Sequence, residues 1–281
     1  MDAACRLPSL VVRGAVMIPG ARLAAEEAPV AIDYAGHTHA VLMATPADVE
    51  DLAVGFTLTE GLVRSLDEIE EVQVIPRPDG LVARLWLTPD RCRDLEGRRR
   101  ALAGPTGCGL CGVESLEAAV RPPPPVPPGG NFTPADIAAA LDAMASRQAL
   151  GLATRAAHAA ALWLPGEGCV ALREDVGRHN ALDKLAGALA QAGRSAAGGI
   201  VVLSSRVSVE MVQKAARLGA AAIAAVSAPT ALAVRTAEAA GVTLIAVVRA
   251  DGFEIFAGAA RIAMPTDCTA LPLDGDAIGL G

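Results

Sequence analysis

The stretch GIVVLSSRVSVEMVQKAARLGAAAIAAVSAPTALAVRTAEAAGVTLIAVV, residues 199–248, decides the fold. Its short apolar runs at 199–204, 221–227 and 242–248 read as strands, and the segments between them, 207–218 and 230–240, as helices. A further helix at 180–192 leads into the series. Such alternation sets parallel strands side by side under covering helices. Ligands of such sheets bind beyond the carboxyl ends of the strands. The candidate pocket therefore lies among Ser204-Ser205-Arg206, Ser227-Ala228-Pro229-Thr230 and Arg249-Ala250-Asp251. The most apolar stretch, residues 218–234, is interrupted by Ser227, Pro229 and Thr230, which makes it buried strand, turn and helix and not a membrane span.

Working outward, a helix opened by Thr133-Pro134 and running to about 146 precedes two strands, 158–164 and 169–173, which turn at residues 165–168. Before these, Arg121 is followed by PPPPVPPGG, which can form neither helix nor central strand and predicts an extended spacer. Further upstream, PVAIDYAGHTHAVLM (29–43) alternates apolar residues on both sides of Gly36 and predicts a hairpin. Thr45-Pro46-Ala47-Asp48 offers an N-cap, an early proline and an acid for a helix reaching Gly61, with strands expected at 69–75 and 80–87. The glycine-rich segment 102–112 puts Cys108 and Cys111 on a loop, with a short helix behind it at 113–120. The expected fold class is thus α/β, a mixed or largely parallel core sheet with covering helices plus a smaller N-terminal α+β substructure. Its divisions are 1–120, ending in the CxxC loop, a linker at 121–130, and the core at 131–281.

Composition bounds the function. The 52% hydrophobic content comes mainly from Ala, Val and Leu, with 2% aromatic, which suits helices packed closely on a sheet. With 24 basic against 31 acidic residues the net charge is −7, which argues against general affinity for nucleic acid or an anionic membrane. The amino terminus, MDAACR, has an acid where a secretion signal needs positive charge, so a cytoplasmic protein is expected. Six scattered cysteines, of which only Cys108 and Cys111 are neighbours, fit reduced thiols and not a disulfide framework.

Two cysteines so spaced can exchange a group between them or hold one metal. Zinc needs two more ligands, and the chain contains no second CxxC and no His-x-x-x-His. Thioredoxin-like exchange is the nearer competitor, but glycine stands before, between and after the cysteines, where a redox pair is usually fixed at a helix start. Zinc deaminase chemistry requires His-x-Glu and a proline before the first cysteine, whereas no histidine here has Glu two residues on and Gly107 precedes Cys108.

A second concentration of chemistry is Glu174-Asp175-Val176-Gly177-Arg178-His179-Asn180-Ala181-Leu182-Asp183-Lys184, six ionisable residues in eleven positions at a helix entrance. Asp183 and Lys184 suit solvated charges of a salt-bridged helix start as well as a functional role. Arg178, His179 and Asn180, after Asp175, stand where backbone N–H groups and a cation can hold an anionic or nucleotide ligand. Ser204, Ser205, Ser227 and Thr230 could each be a helix cap. Two such turns with Pro229 and Arg206 at strand ends make a phosphate or pterin cradle. Neither Gly-x-Gly-x-x-Gly nor a Walker sequence occurs.

Taken together, Gly107-Cys-Gly-Leu-Cys-Gly-Val-Glu114-Ser115, the string from Glu174 to Lys184, Ser204-Ser-Arg-Val-Ser-Val-Glu-Met-Val-Gln-Lys214 and Ser227-Ala-Pro-Thr230 resemble the FdhD family, the formate dehydrogenase accessory sulfurtransferases. Thr45-Pro46, Asp51-Leu-Ala-Val-Gly-Phe56 and Thr59-Glu-Gly61 match as well, so the likeness runs from about residue 26 to 262. The resemblance implies a cytoplasmic homodimer with a cytidine-deaminase-like core. It implies sulfur accepted as a persulfide from a cysteine desulfurase and passed to a molybdenum bis(molybdopterin guanine dinucleotide) cofactor destined for the formate dehydrogenase catalytic subunit, with GDP as a partial mimic of that cofactor. Cys108 matches the persulfide position and Cys111 its partner. The cofactor-contacting segment would follow the last core strand, at Val247, Val248, Arg249, Ala250, Asp251 and Gly252, with Phe253 adjoining. One departure is visible: Thr154-Arg155-Ala156-Ala157-His158 stands where the family usually carries Thr-Gly-Gly before His-Ala.

Overall fold

A computed structural model describes residues 2–102 and 122–264 of the chain. From the amino terminus, Ala4–Arg13 (β1) and Val16–Ala25 (β2) form an antiparallel two-stranded sheet of their own. Ala28–Tyr34 (β3) and His37–Ala44 (β4) make the expected hairpin, followed by Val49–Thr59 (α1), Ile69–Arg77 (β5), Gly80–Leu87 (β6) and Pro89–Leu102 (α2). Pro134–Ala145 (α3), Ala149–Thr154 (α4), His158–Leu164 (β7), Gly168–Asp175 (β8) and Arg178–Gln191 (α5) come next. Ile200–Leu203 (β9), Val209–Arg217 (α6), Ala222–Ala225 (β10), Ala231–Ala240 (α7), Thr243–Arg249 (β11) and Gly252–Ala257 (β12) complete the chain's regular elements among the described residues. The loop around Cys108 and Cys111, and the helix expected behind it, lie outside the described residues.

The architecture is mixed α/β. The core sheet has the order β12-β11-β10-β9-β7-β8. Strands β9, β10 and β11 are parallel, as the alternation in residues 199–248 predicts, while β7, β8 and β12 join antiparallel. Each central strand is short and buried on both faces, which is why it reads as a continuous apolar run. One face carries α5, α6 and α7 through Leu182, Leu185, Met211, Val212, Ala233 and Ala237. The other carries α3, whose Ile137, Ala140 and Met144 pack with Phe132 against Ile200 and Val202. Helix α3 begins at a capping box: Thr133 accepts from the Asp136 N–H, and Asp136 accepts from the Thr133 N–H.

The smaller sheet, β4-β3-β6-β5, packs α1 through Val30, Ile32, Leu52 and Leu85. Helix α1 begins later than its sequence suggests. Its N-cap is Asp48, left-handed at φ +51° and without a side-chain cap bond, and Thr45 is used elsewhere. The opposite face of α1 lies on α5 at very short range. A Cβ added to Gly55 would sit 1.7 Å from the Asp183 carbonyl oxygen, and one on Gly187 would sit 2.0 Å from that of Asp51. Two glycines therefore let helices from the two halves of the chain cross backbone to backbone.

The proline-rich stretch lies along the core. Pro123 is buried, the Val126 N–H donates to the Ala240 carbonyl at 2.9 Å, and Arg261 donates to the Gly129 carbonyl. Among the described residues no helix is long and apolar enough to cross a membrane.

Candidate functional site

Parallel strands bring the turns after β9, β10 and β11 to one edge of the core sheet. Because β7 runs antiparallel to β9, and β8 antiparallel to β7, His158 at the start of β7 and Asp175 at the end of β8 reach the same edge, where they pair. The turn carrying Arg178 and His179 therefore joins the three strand-end turns. The turns are also laced together. Val207 and Pro229 form a parallel bridge, the Val207 N–H donates to Ala228 and the Thr230 N–H to Val207. Arg249 donates to the Val226 and Val248 carbonyls, tying the β10 turn to β11.

Several expected site residues have structural duties here. The Thr230 hydroxyl caps α7 by accepting from the Ala233 N–H at 3.2 Å. Ser204 accepts from the Ala159 N–H at 2.8 Å, and the buried Ser205 hydroxyl donates to the Arg206 carbonyl. Asn180 is buried and donates to the Met43 carbonyl and to Asp175. Arg206 is exposed, and Ser227 and Pro229 are half-buried.

Val247, Val248 and Arg249 end β11, Ala250 and Asp251 make the turn, and Gly252 and Phe253 begin β12, which returns antiparallel to β11 as the edge strand of the core sheet. The register of that hairpin slips between Ala246 and Arg249, and Val247 sits there in the left-handed region at φ +54°. A β-branched residue rarely adopts that conformation, so the bulge holds local strain beside the candidate site.

Among the described residues, Arg178 Nε is the buried side-chain nitrogen left without a hydrogen-bond partner. Its charge acts on two histidines. Burial lowers the His158 pKa, and the nearby Arg178 cation lowers it further. His179 is lowered for the same two reasons in the same order, despite its 3.1 Å contact with Glu210. Arg178 thus lies near enough to both imidazoles for its charge to hold them towards neutrality, and its buried Nε has no partner. Such a place favours an anion. Ser208 and Glu210, not singled out in the sequence, support His179, since the Ser208 hydroxyl donates to the Glu210 carboxylate that meets the ring.

Asp183 and Lys184 are not solvated. Both are buried, and they anchor two networks that join the halves of the chain. Lys184 lies 2.6 Å from Asp175 and donates to the Thr45 carbonyl, while the Thr45 N–H donates to Asp175 and its hydroxyl accepts from Val176. Asp183 accepts from the Thr59 hydroxyl at 2.6 Å and from Lys214, which also reaches Glu60. Burial works to lower the Lys214 pKa, but the charges of Asp183 and Glu60 outweigh it and raise the group, keeping it an ammonium.

Two cavities, of about 170 and 500 Å³, lie away from the strand-end turns. One sits between α1, α5 and the end of α6, the other beside the start of α1, and none of the expected site residues lines either.

A family profile described as FdhD/NarQ matches residues 25–263. The chain belongs to the FdhD/NarQ family. Among FdhD relatives, the sulfur carrier protein FdhD of Agrobacterium fabrum is 51% identical over 262 residues, 92% of this chain and 95% of that protein. The sulfur carrier protein FdhD of Cupriavidus necator is 49% identical over 251 residues, 89% and 86% of the two chains. In fold the chain is similar to a crystal structure from Desulfotalea psychrophila, described as that of a candidate formate dehydrogenase accessory protein. Its TM-score is 0.72 at 24% identity, covering 93% of this chain and all of the other. Arg155, next to Thr154, stands at φ +57° as the left-handed C-cap of α4, a conformation that favours glycine.

Proposed function

We propose that this protein is a sulfur carrier serving formate dehydrogenase. The observation that carries the reading is an identity of about one half, over about nine tenths of the chain, to relatives named sulfur carrier proteins. In this reading, Cys108 takes sulfur from a cysteine desulfurase as a persulfide, in the cytoplasm and as a homodimer. The acceptor is the molybdenum bis(molybdopterin guanine dinucleotide) cofactor, bound as substrate at the strand-end edge before insertion into the dehydrogenase.

The transfer balances as a thiol exchange. The Cys111 thiolate attacks the inner sulfur of the Cys108 persulfide, the S–S bond breaks, and hydrosulfide leaves towards the molybdenum. A Cys108–Cys111 disulfide remains, and a cellular dithiol returns it to two thiols with two electrons. Residues at the sheet edge have a binding part. Arg178 and His179 face the cofactor's phosphates, Arg206 adds a second cation, and the turns at Ser204, Ser205, Ser227, Pro229 and Thr230 and at Val247 to Phe253 line the guanine dinucleotide. Asn180 acts behind them, holding Asp175 and the Met43 strand. Support for an anionic ligand is the unpartnered Arg178 Nε and the Arg178 charge felt by both His158 and His179.

The test has two separate readouts. Incubated with a cysteine desulfurase and cysteine, the protein should gain one sulfur atom at Cys108 by intact mass and peptide mapping. Cys108→Ala should gain none; a gain equal to the parent's would remove Cys108 from its role. GDP should bind the parent saturably by calorimetry and bind Arg178→Gln at least about tenfold more weakly, as a charge-assisted contact worth about 1.4 kcal/mol or more would require.

A further inference from the structure

The hairpin β1–β2 is built for a surface that the rest of its own chain does not provide. Along both ten-residue strands only residues near the root, with Gly20, are even partly covered. Thirteen large apolar residues are exposed among the described residues, and eight of them lie on this one hairpin. Near its tip Leu10, Val12 and Met17 are 68%, 63% and 69% exposed. Register puts them on a single face, since Val12 pairs with Met17 and Leu10 with Pro19. A lone two-stranded hairpin is at best marginal in water, and one this apolar invites association. It also lies outside the span of the family profile, which begins at residue 25.

Three more of the thirteen exposed residues lie near the arm's root. Val41 and Met43 are on β4, whose end Ala44 pairs with Ala28, three residues beyond the arm. Leu152 is on α4, whose Thr154 carbonyl accepts a hydrogen bond from Arg22 of the arm at 3.3 Å. Charge is complementary as well. The arm carries Arg6, Arg13 and Arg22 and no acid, in a chain of net charge −7, so the remainder carries −10. Glu26 and Glu27 stand at the root itself.

We propose that the arm is an exchange device between two copies of this chain, the apolar tip of each lying on the Val41, Met43 and Leu152 root of the other. Such a contact is self-complementary and closes as a two-fold pair. Its scale fits: a stable interface takes roughly 20–30 residues a side, and the arm supplies twenty in its strands alone. At about 3.4 Å per residue the arm spans roughly 34 Å, enough to reach across a neighbouring body. The inference rests on the homodimer part of the function above and is independent of the sulfur chemistry.

The test is light scattering and sedimentation on the full chain at micromolar concentration, beside the double variant Leu10→Asp with Met17→Lys. The parent should be a dimer, and the variant's dissociation constant should rise at least about a hundredfold through loss of two buried anchors. A photo-crosslinking residue in place of Val12, in mixed light and heavy isotope copies, should join residues 41–43 or 150–154 of the other copy. A monomeric parent overturns both the homodimer and the arm. A variant that dimerises like the parent, or crosslinks formed only within one copy, overturns the arm alone. Monomeric parent that pellets with phosphatidylserine vesicles, while the variant does not, would assign the arm to a lipid surface instead.

Discussion

Lys184 holds its ammonium 2.6 Å from the Asp175 carboxylate, with neither side chain exposed, and both also bond the backbone of Thr45 from the other half of the chain. The pair is a bolt between the core sheet and the hairpin β3–β4. Removing one partner leaves a buried charge without compensation. Lys184→Met should therefore cost about 3–5 kcal/mol in urea unfolding, and pairing it with Asp175→Asn should recover part of that. An unchanged urea midpoint in the single variant would sink this account.

The glycine crossing of α1 and α5 sets helix propensity against packing. Gly to Ala inside a helix ordinarily gains about 0.5–1 kcal/mol. At Gly55 the added methyl would overlap the Asp183 carbonyl, and at Gly187 that of Asp51, both rigid backbone. Gly55→Ala and Gly187→Ala should each lower stability by about 3 kcal/mol, packing overriding propensity. Thermal melts of the two variants check the sign.

Arg155 makes the opposite case. It occupies the left-handed region at φ +57° and caps α4, where a Cβ is costly. Arg155→Gly removes that cost and adds unfolded-chain entropy, so the net gain should be modest, below about 1 kcal/mol. A loss of stability would mean that the side chain makes contacts that matter more than its backbone.

The depressed histidines give a pH dependence with a definite sign. His158 and His179 both bind their protons less readily in the folded chain than at the ordinary value of 6.5. The unfolded chain therefore takes up more protons, so their contribution is present above 6.5 and is lost as pH falls through that value towards their folded values. His158→Gln with His179→Gln should flatten the stability profile there. An anion beside Arg178 would draw protons back onto both rings, so GDP binding should tighten as pH falls and, because the buffer supplies those protons, release more heat in buffers of low ionisation enthalpy than in buffers of high ionisation enthalpy.

Legibility followed burial. The alternation at 199–248, the hairpin at Gly36 and the Thr133 start of α3 were all readable, because apolar period and cap chemistry act locally there. Helix α2 was not, since PDRCRDLEGRRRAL offers almost no apolar stripe to follow. The arm is not legible in sequence, because Pro8, Pro19 and Gly20 interrupt its strands and its apolar residues occupy both faces. At the sheet edge the residue types were readable but their duties were not. Asp183, Lys184 and Asn180 look like chemistry in sequence, and only distances to Thr59, Thr45 and Met43, more than a hundred residues away, reveal what they hold.

Those buried networks change how a loss of formate-dependent growth should be interpreted. Substitutions at Asp175, Asp183, Lys184 or Lys214 would be scored as dead in a complementation screen, although these side chains are committed to joining the two halves. Their phenotype would report how much folded protein survives the cell's proteases, not how fast sulfur moves. Immunoblot abundance, measured beside growth, separates such positions from Arg178, whose loss should leave the amount of protein nearly intact.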